Sequence, residues 1–177
     1  IRKSAGGTWG AAPGFPVTVG TYVASSPAVG DLTGDGVPEI VVGHGDHRER
    51  GPGGVKAYRV DGSLLWARDS EDVVNGPDGK PDPVYGTPAI GDVDGDGAPD
   101  VAWGGLDFYV HLVDGATGAD KSGWPHFVRD TIFSSPALYD VDGDGRLDVV
   151  IGVDAHAEGP PFNTPDGCCL HAFRWNV

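Results

Sequence analysis

Three short stretches of this chain crowd carboxylates together at one repeated spacing. Asp92-Val93-Asp94-Gly95-Asp96-Gly97-Ala98-Pro99-Asp100 carries four in nine residues. Asp140-Val141-Asp142-Gly143-Asp144-Gly145-Arg146-Leu147-Asp148 repeats the spacing, and Asp31-Leu32-Thr33-Gly34-Asp35-Gly36-Val37-Pro38-Glu39 does so with Thr33 in the third place. Ionised carboxylates packed this way call for a cation. A hard divalent ion such as Ca²⁺ takes about six to eight oxygens at about 2.3–2.6 Å. Positions 1, 3 and 5 (Asp31, Thr33, Asp35; Asp92, Asp94, Asp96; Asp140, Asp142, Asp144) put side-chain oxygens on one side of a tight loop, which the glycine at position 6 permits. Position 7 (Val37, Ala98, Arg146) can offer its backbone carbonyl, and the acid at position 9 (Glu39, Asp100, Asp148) can bind through both oxygens. No His or Cys lies inside the loops, which disfavours zinc and copper, and Mg²⁺ prefers fewer protein oxygens. An EF-hand loop begins the same way but needs a Glu at position 12 and flanking helices; Val42, Trp103 and Ile151 stand there, inside strand-like runs. The competing reading is a set of Asp/Gly turns without metal. Loop one, lower in charge, is expected to bind more weakly.

The loops sit in a longer repeat. Ser25-Ser26-Pro27-Ala28-Val29-Gly30, Gly86-Thr87-Pro88-Ala89-Ile90-Gly91 and Ser134-Ser135-Pro136-Ala137-Leu138-Tyr139 precede them. Ile40-Val41-Val42-Gly43, Val101-Ala102-Trp103-Gly104 and Val149-Val150-Ile151-Gly152 follow, short and β-rich as buried strands are. A third strand is expected at Gly54–Val60, Phe108–Val113 and Leu170–Trp175, with Asp61-Gly62 and Asp114-Gly115 as hairpin turns. Ser63–Trp66 and Trp124–Phe127 read as fourth strands. The resulting fold class is all-β: units of four short antiparallel strands, the pattern of propeller blades. The expected divisions are 1–20, the end of a preceding blade (with Phe15–Val19 resembling the Trp124–Phe127 tail); 21–70, blade one; 71–130, blade two with its preceding loop; and 131–177, an incomplete blade three.

Motif starts at 31, 92 and 140 give unequal periods of 61 and 48. The excess falls around His44–Gly53 and within Asp69–Tyr85, and a longer insertion follows at Asp154–Gly167. In an up-and-down blade those connections emerge opposite the acidic loops, on the face where binding is expected.

Composition narrows the function classes. Lys+Arg 12 against Asp+Glu 26 gives a net charge of −14, which disfavours nucleic acid and anionic membranes. No apolar run reaches the ~18 residues of a membrane span. Gly 30 and Pro 15 suit many tight turns, and 39% hydrophobic content suits a folded core. The opening at Ile1, with no signal peptide, is read as a processed N-terminus or a piece of a longer chain. Adjacent Cys168 and Cys169 leave three readings, a vicinal disulfide, a redox pair or two thiols, the first favoured in an oxidising compartment. His44, Asp46 and His47, and Asp154, His156 and Glu158, are read as solvated loops rather than metal or acid/base clusters. Trp66, Trp103, Trp124 and Trp175 are expected to fill the spaces between blades.

Asp-x-Asp-x-Asp-Gly-x-x-Asp between two short strands resembles the FG-GAP/VCBS repeat family over about residues 15–177. Thr33 and Glu39 depart from the pattern and no Phe-Gly pair is present, which is read as placing the chain nearer the bacterial VCBS-like branch than the integrin α propeller. The resemblance implies calcium ligands at the fifteen loop positions named above, up to three Ca²⁺ in all, and a seven- or eight-bladed parent propeller of which about three blades are present. It also implies a secreted or cell-surface module that binds protein or glycan on the face opposite the calcium loops, completed by further blades of the same or another chain. The alternative is the propeller part of a secreted enzyme (polysaccharide lyase, dehydratase or multidomain peptidase); no nucleophile elbow, phosphate loop or zincin motif is present.

Overall fold

The computed structural model describes residues 2–3, 9–20, 22–46, 51–74, 77–154 and 169–175. Among them there is no helix. A first short pair joins β1 (Arg2–Lys3) to β2 (Trp9–Gly10). Three antiparallel meanders follow. Sheet one runs β3 (Ala28–Gly30), β4 (Glu39–Asp46), β5 (Gly51–Tyr58), β6 (Leu64–Asp69). Sheet two runs β7 (Ala89–Gly91), β8 (Asp100–Gly104), β9 (Tyr109–Asp114), β10 (His126–Phe127). Sheet three has β11 (Ala137–Tyr139), β12 (Asp148–Val153) and β13 (Cys169–Phe173).

The first hairpin has the same register in every sheet. Gly30 pairs with Glu39, Gly91 with Asp100 and Tyr139 with Asp148. Each acidic loop is therefore the closing turn of a hairpin, with position 9 as the first residue of the returning strand. The inner strands of adjacent sheets, β3, β7 and β11, lie side by side.

Strand alternation sorts the core into two interfaces. Val101, Trp103 and Val113 of sheet two pack toward sheet one, with Leu32, Val41, Val55, Ala57 and Trp66. Ala102, Val110 and Leu112 face the other way, onto Val149, Ile151, Val153 and Phe173 of sheet three. The Trp66 indole donates to the Gly115 carbonyl across the first interface at 2.7 Å. All four expected tryptophans belong to these interfaces, Trp66 and Trp103 buried in the first, Trp124 and Trp175 packed against the second.

One linking device repeats. The segment entering sheet two binds the end of β4, Val84 N–H to the His44 carbonyl at 3.1 Å, and the segment entering sheet three binds sheet two alike, Ile132 N–H to the Gly105 carbonyl at 3.1 Å. Val84 and Ile132 are fully buried, each over a strand-two glycine, Gly43 and Gly104. Val23 holds the matching place before sheet one and is 44% exposed. Position 2 of the acidic loops shows the same pattern at the other end: Leu32 and Val93 are buried between sheets, whereas Val141 is 55% exposed.

Two expectations change. Residues 44–46 and 51–53 of the expected insertion belong to β4 and β5, which reach eight residues each. Phe15–Val19 forms no strand; it is irregular chain whose Val19 carbonyl accepts from the Lys56 ammonium.

Candidate metal centres

Every acidic loop is shaped by its own carboxylates. Position 1 gathers the loop N–H groups: Asp31 accepts from Gly34 at 2.8 Å and Gly36 at 2.8 Å, Asp92 from Gly95 at 2.8 Å and Gly97 at 3.0 Å, Asp140 from Gly143 at 2.6 Å and Gly145 at 2.9 Å. Position 5 accepts from position 7, as in Asp96 from Ala98 at 2.8 Å and Asp144 from Arg146 at 2.9 Å. Such tight closure needs left-handed backbone. Both glycines of each loop supply it, with φ of 73° and 83° at Gly34 and Gly36, 76° and 90° at Gly95 and Gly97, and 79° and 90° at Gly143 and Gly145. The need at position 4, like that at position 6, explains why these loops read Gly-Asp-Gly.

Position 9 is the buried acid. Glu39, Asp100 and Asp148 are all buried, and in each one oxygen accepts the position-2 N–H: Leu32 at 2.8 Å, Val93 at 3.0 Å and Val141 at 2.8 Å. One oxygen of this carboxylate thus accepts from the backbone in every loop. At Asp100, which is wholly buried, the other oxygen, Oδ1, is ion-paired with the Lys121 ammonium at 3.0 Å. A buried carboxylate oxygen is costly without a cation of this kind.

In loops two and three the structure brings three carboxylates together. Oxygens of Asp92, Asp94 and Asp100 lie within 4.8 Å of one another, and so do those of Asp140, Asp142 and Asp148. Both clusters have the hard-oxygen donor set and the closeness to hold a metal ion. Position 5 (Asp96, Asp144) stands outside them, and among the described residues loop one offers no such trio, Thr33 replacing its middle member. Desolvation is the largest influence on Asp100, and with the Asp94 charge it holds the carboxyl above the ordinary range against Lys121 and the Val93 N–H. Asp96 lies below that range, chiefly through the Ala98 N–H.

The sequence gives no hint of Lys121. Its ammonium lies 2.6 Å from Asp94 Oδ2 and 3.0 Å from Asp100 Oδ1, the latter outside hydrogen-bond geometry. Burial pulls this lysine down, but Asp94 and Asp100 outweigh it and leave the group above its ordinary value. Which residue of an irregular strand reaches a neighbouring loop cannot be read from spacing.

At the opposite end the connections are organised by other acids. Asp107, fully buried, receives the His111 ring at 2.7 Å and the N–H groups of Glu71 at 2.9 Å and Tyr109 at 3.2 Å. Asp82 accepts from Val73 at 2.7 Å and Val74 at 2.8 Å, and burial raises its pKa. Asp82 thus folds its own connection back on itself, while Asp107 and the Leu106 N–H, which donates to the Pro83 carbonyl at 3.0 Å, tie that connection to the β8–β9 hairpin, at the end of the sheets opposite the acidic loops. His44, expected in a solvated loop, is buried on β4. Burial first and Lys56 second hold it below 6.5; the Pro52 carbonyl opposes them without forming a proper hydrogen bond. Asp154 accepts from the Thr131 hydroxyl at 3.1 Å. Cys169 opens β13, half-buried. His47, His156, Glu158 and Cys168 lie outside the described residues.

Three antiparallel sheets of three or four strands, each closed by an acidic hairpin loop, define a class: an all-β protein built of units consistent with propeller blades. Comparison with protein families adds the particular repeat. Residues 92–151, from the first carboxylate of loop two to β12, match the FG-GAP-like repeat. The match does not single out the VCBS-like branch. No curated protein matches the chain.

Proposed function

We propose that this chain is part of a calcium-stabilised extracellular propeller whose metal loops fix one end of each blade while the opposite end presents a protein- or glycan-binding surface. The observation that carries the calcium reading is the trio of positions 1, 3 and 9, whose carboxylate oxygens lie within 4.8 Å of one another in loops two and three. Calcium would take Asp92, Asp94 and Asp100 in loop two and Asp140, Asp142 and Asp148 in loop three, with Asp96, Asp144 and the Ala98 and Arg146 carbonyls completing the shell. Asp31, Thr33, Asp35, Val37 and Glu39 form the weaker third site. Extracellular calcium is millimolar, so sites as weak as about 10⁻⁴–10⁻³ M would fill there. Titration with CaCl₂ by calorimetry, paired with melting in calcium and in chelator, tests this. Binding with a higher melting temperature is expected; no heat and no shift would overturn it.

Further blades, of the parent chain or another, are proposed to complete the ring. Support comes from the bare counterparts of buried interface residues: Val23 against Val84 and Ile132, Val141 against Leu32 and Val93, and Leu170 at 77% exposure on the outer face of sheet three. Light scattering of the isolated 177-residue chain should show self-association; a monodisperse monomer that binds no hydrophobic dye would refute the open-ended reading.

A further inference from the structure

Centre two already contains a cation of the chain's own. Asp120 bridges Val113, and Lys121 follows, its N–H held by the Leu112 carbonyl at 3.0 Å. The chain then turns through Gly123, at φ 84°, before β10 forms at His126. From this irregular stretch the lysine side chain, only 11% exposed, runs into loop two, where Nζ is 2.6 Å from Asp94, 3.0 Å from Asp100 and 3.4 Å from Asp96. Centre three has the same three acids in the same positions, but its cation is Arg174. That guanidinium touches Asp142 alone, at 3.2 Å, and stays 61% exposed. In sheet one Leu64 pairs with Tyr58 as Asp120 does with Val113, so Leu65 holds the place of Lys121. No cation of the described residues reaches loop one.

We propose that Lys121 is a tethered counter-ion that competes with divalent metal for centre two, so that two centres with the same carboxylates differ in affinity. The inference rests on the calcium reading above. An ammonium within 2.6–3.0 Å of two of the three clustered acids occupies the space a calcium ion needs, since calcium requires those oxygens at about 2.3–2.6 Å. Both cannot be bound. A doubly charged ion wins at sufficient concentration, and the flexible four-carbon stem lets the ammonium swing into solvent when it does. Centre two therefore exchanges one cation for another, while centre three goes from a filled site to three facing carboxylates on metal loss. Chelation should loosen loop three and leave loop two closed.

Two measurements on the full chain decide this. In an Asp142→Asn background, which disables centre three, calcium affinity at centre two is measured with Lys121 intact and as Lys121→Met. Loss of the competitor should tighten binding by about tenfold or more, while Lys121→Met with centre three intact and Asp94→Asn disabling centre two should leave centre three unchanged. The second measurement needs no lysine variant: acylation of the wild-type chain followed by mass spectrometry. Lys121 should be protected in chelator and reactive in millimolar calcium, with exposed Lys80 as the internal reference. Equal labelling in both states while calcium binds, or an affinity indifferent to Lys121→Met, overturns the competitor and leaves the calcium reading standing. Absence of calcium binding by every form overturns both.

Discussion

Three glycines at one register position offer a test of how the sheets are held together. Gly43, Gly104 and Gly152 each follow the position-9 acid at the same offset in the strand after an acidic loop, and none has a positive φ, so alanine suits the backbone at all three. Their surroundings differ. A methyl on Gly43 would meet Val84 Cγ1 and the Val84 carbonyl at 2.7 Å, and one on Gly104 would meet Ile132 Cγ2 at 2.4 Å and Ile151 Cδ1 at 2.8 Å. Carbon atoms at rest sit about 3.5–4.0 Å apart, so the neighbour must retreat by about an ångström from a packed interface. Overpacking of this kind costs about 1–3 kcal/mol, against about 0.4–1 kcal/mol gained by restricting the unfolded chain. The net expectation for Gly43→Ala and Gly104→Ala is a loss of about 1–2 kcal/mol, or about 2–8 °C in melting temperature at this chain length. A methyl on Gly152 would meet Ser134 at an ordinary 3.5 Å. Gly152→Ala should leave the melting temperature unchanged or raise it by about 1–4 °C. Differential scanning fluorimetry of the three variants decides. Should Gly152→Ala fall as far as the other two, the shared glycine reflects a backbone demand and the close approach between sheets is not its cause.

Asp107→Ala strands two backbone N–H groups and the His111 ring in a buried setting and should cost about 3–5 kcal/mol, more than Asp107→Asn, by chemical denaturation. Leu32→Ala should lose about 2–5 kcal/mol, whereas Val141→Ala, at the same loop position but exposed, should stay within about 0.5 kcal/mol; similar losses at both would refute the assignment of position 2 to blade interfaces. His44 has a folded pKa below 6.5, so the unfolded chain binds the proton first. Its contribution is complete above pH 6.5 and is lost as pH falls toward the folded pKa. Melting temperature in chelator should therefore drop below pH 6.5, and His44→Leu should remove part of the drop. His126, likewise lowered by burial, adds to the drop, while the raised pKa of Asp82 acts in the opposite direction at lower pH.

The repeat was legible because its constraints are local. Asp at position 1 and glycines at positions 4 and 6 build a turn from their own N–H groups, and a turn of fixed length sets the register of its hairpin, as the pairings of Gly30, Gly91 and Tyr139 show. Tryptophans between short strands likewise have few places to go other than an interface. The rest depends on distance in space. Lys121 reaches loop two because an irregular stretch re-aims one side chain, and Asp107 and Asp82 are buried because a connection folds back over the β8–β9 hairpin. Residues 44–46 and 51–53 extend β4 and β5 because additional backbone pairing satisfies their polar groups, which the charged residues between them in sequence concealed.

The acid at position 9 has a consequence for how these loops respond to their surroundings. Its bond to the position-2 N–H spans the mouth of each loop, as in Asp148 to Val141 at 2.8 Å, while position 1 draws the interior together. The loop thus has its shape before any ion arrives. An ion entering such a site finds ligands already placed, and little ordering entropy is spent on capture. Were an ion held there, changes in its supply would be felt as stiffness and lifetime of the sheet, with its outline held constant, and the loops would act as rivets in a frame.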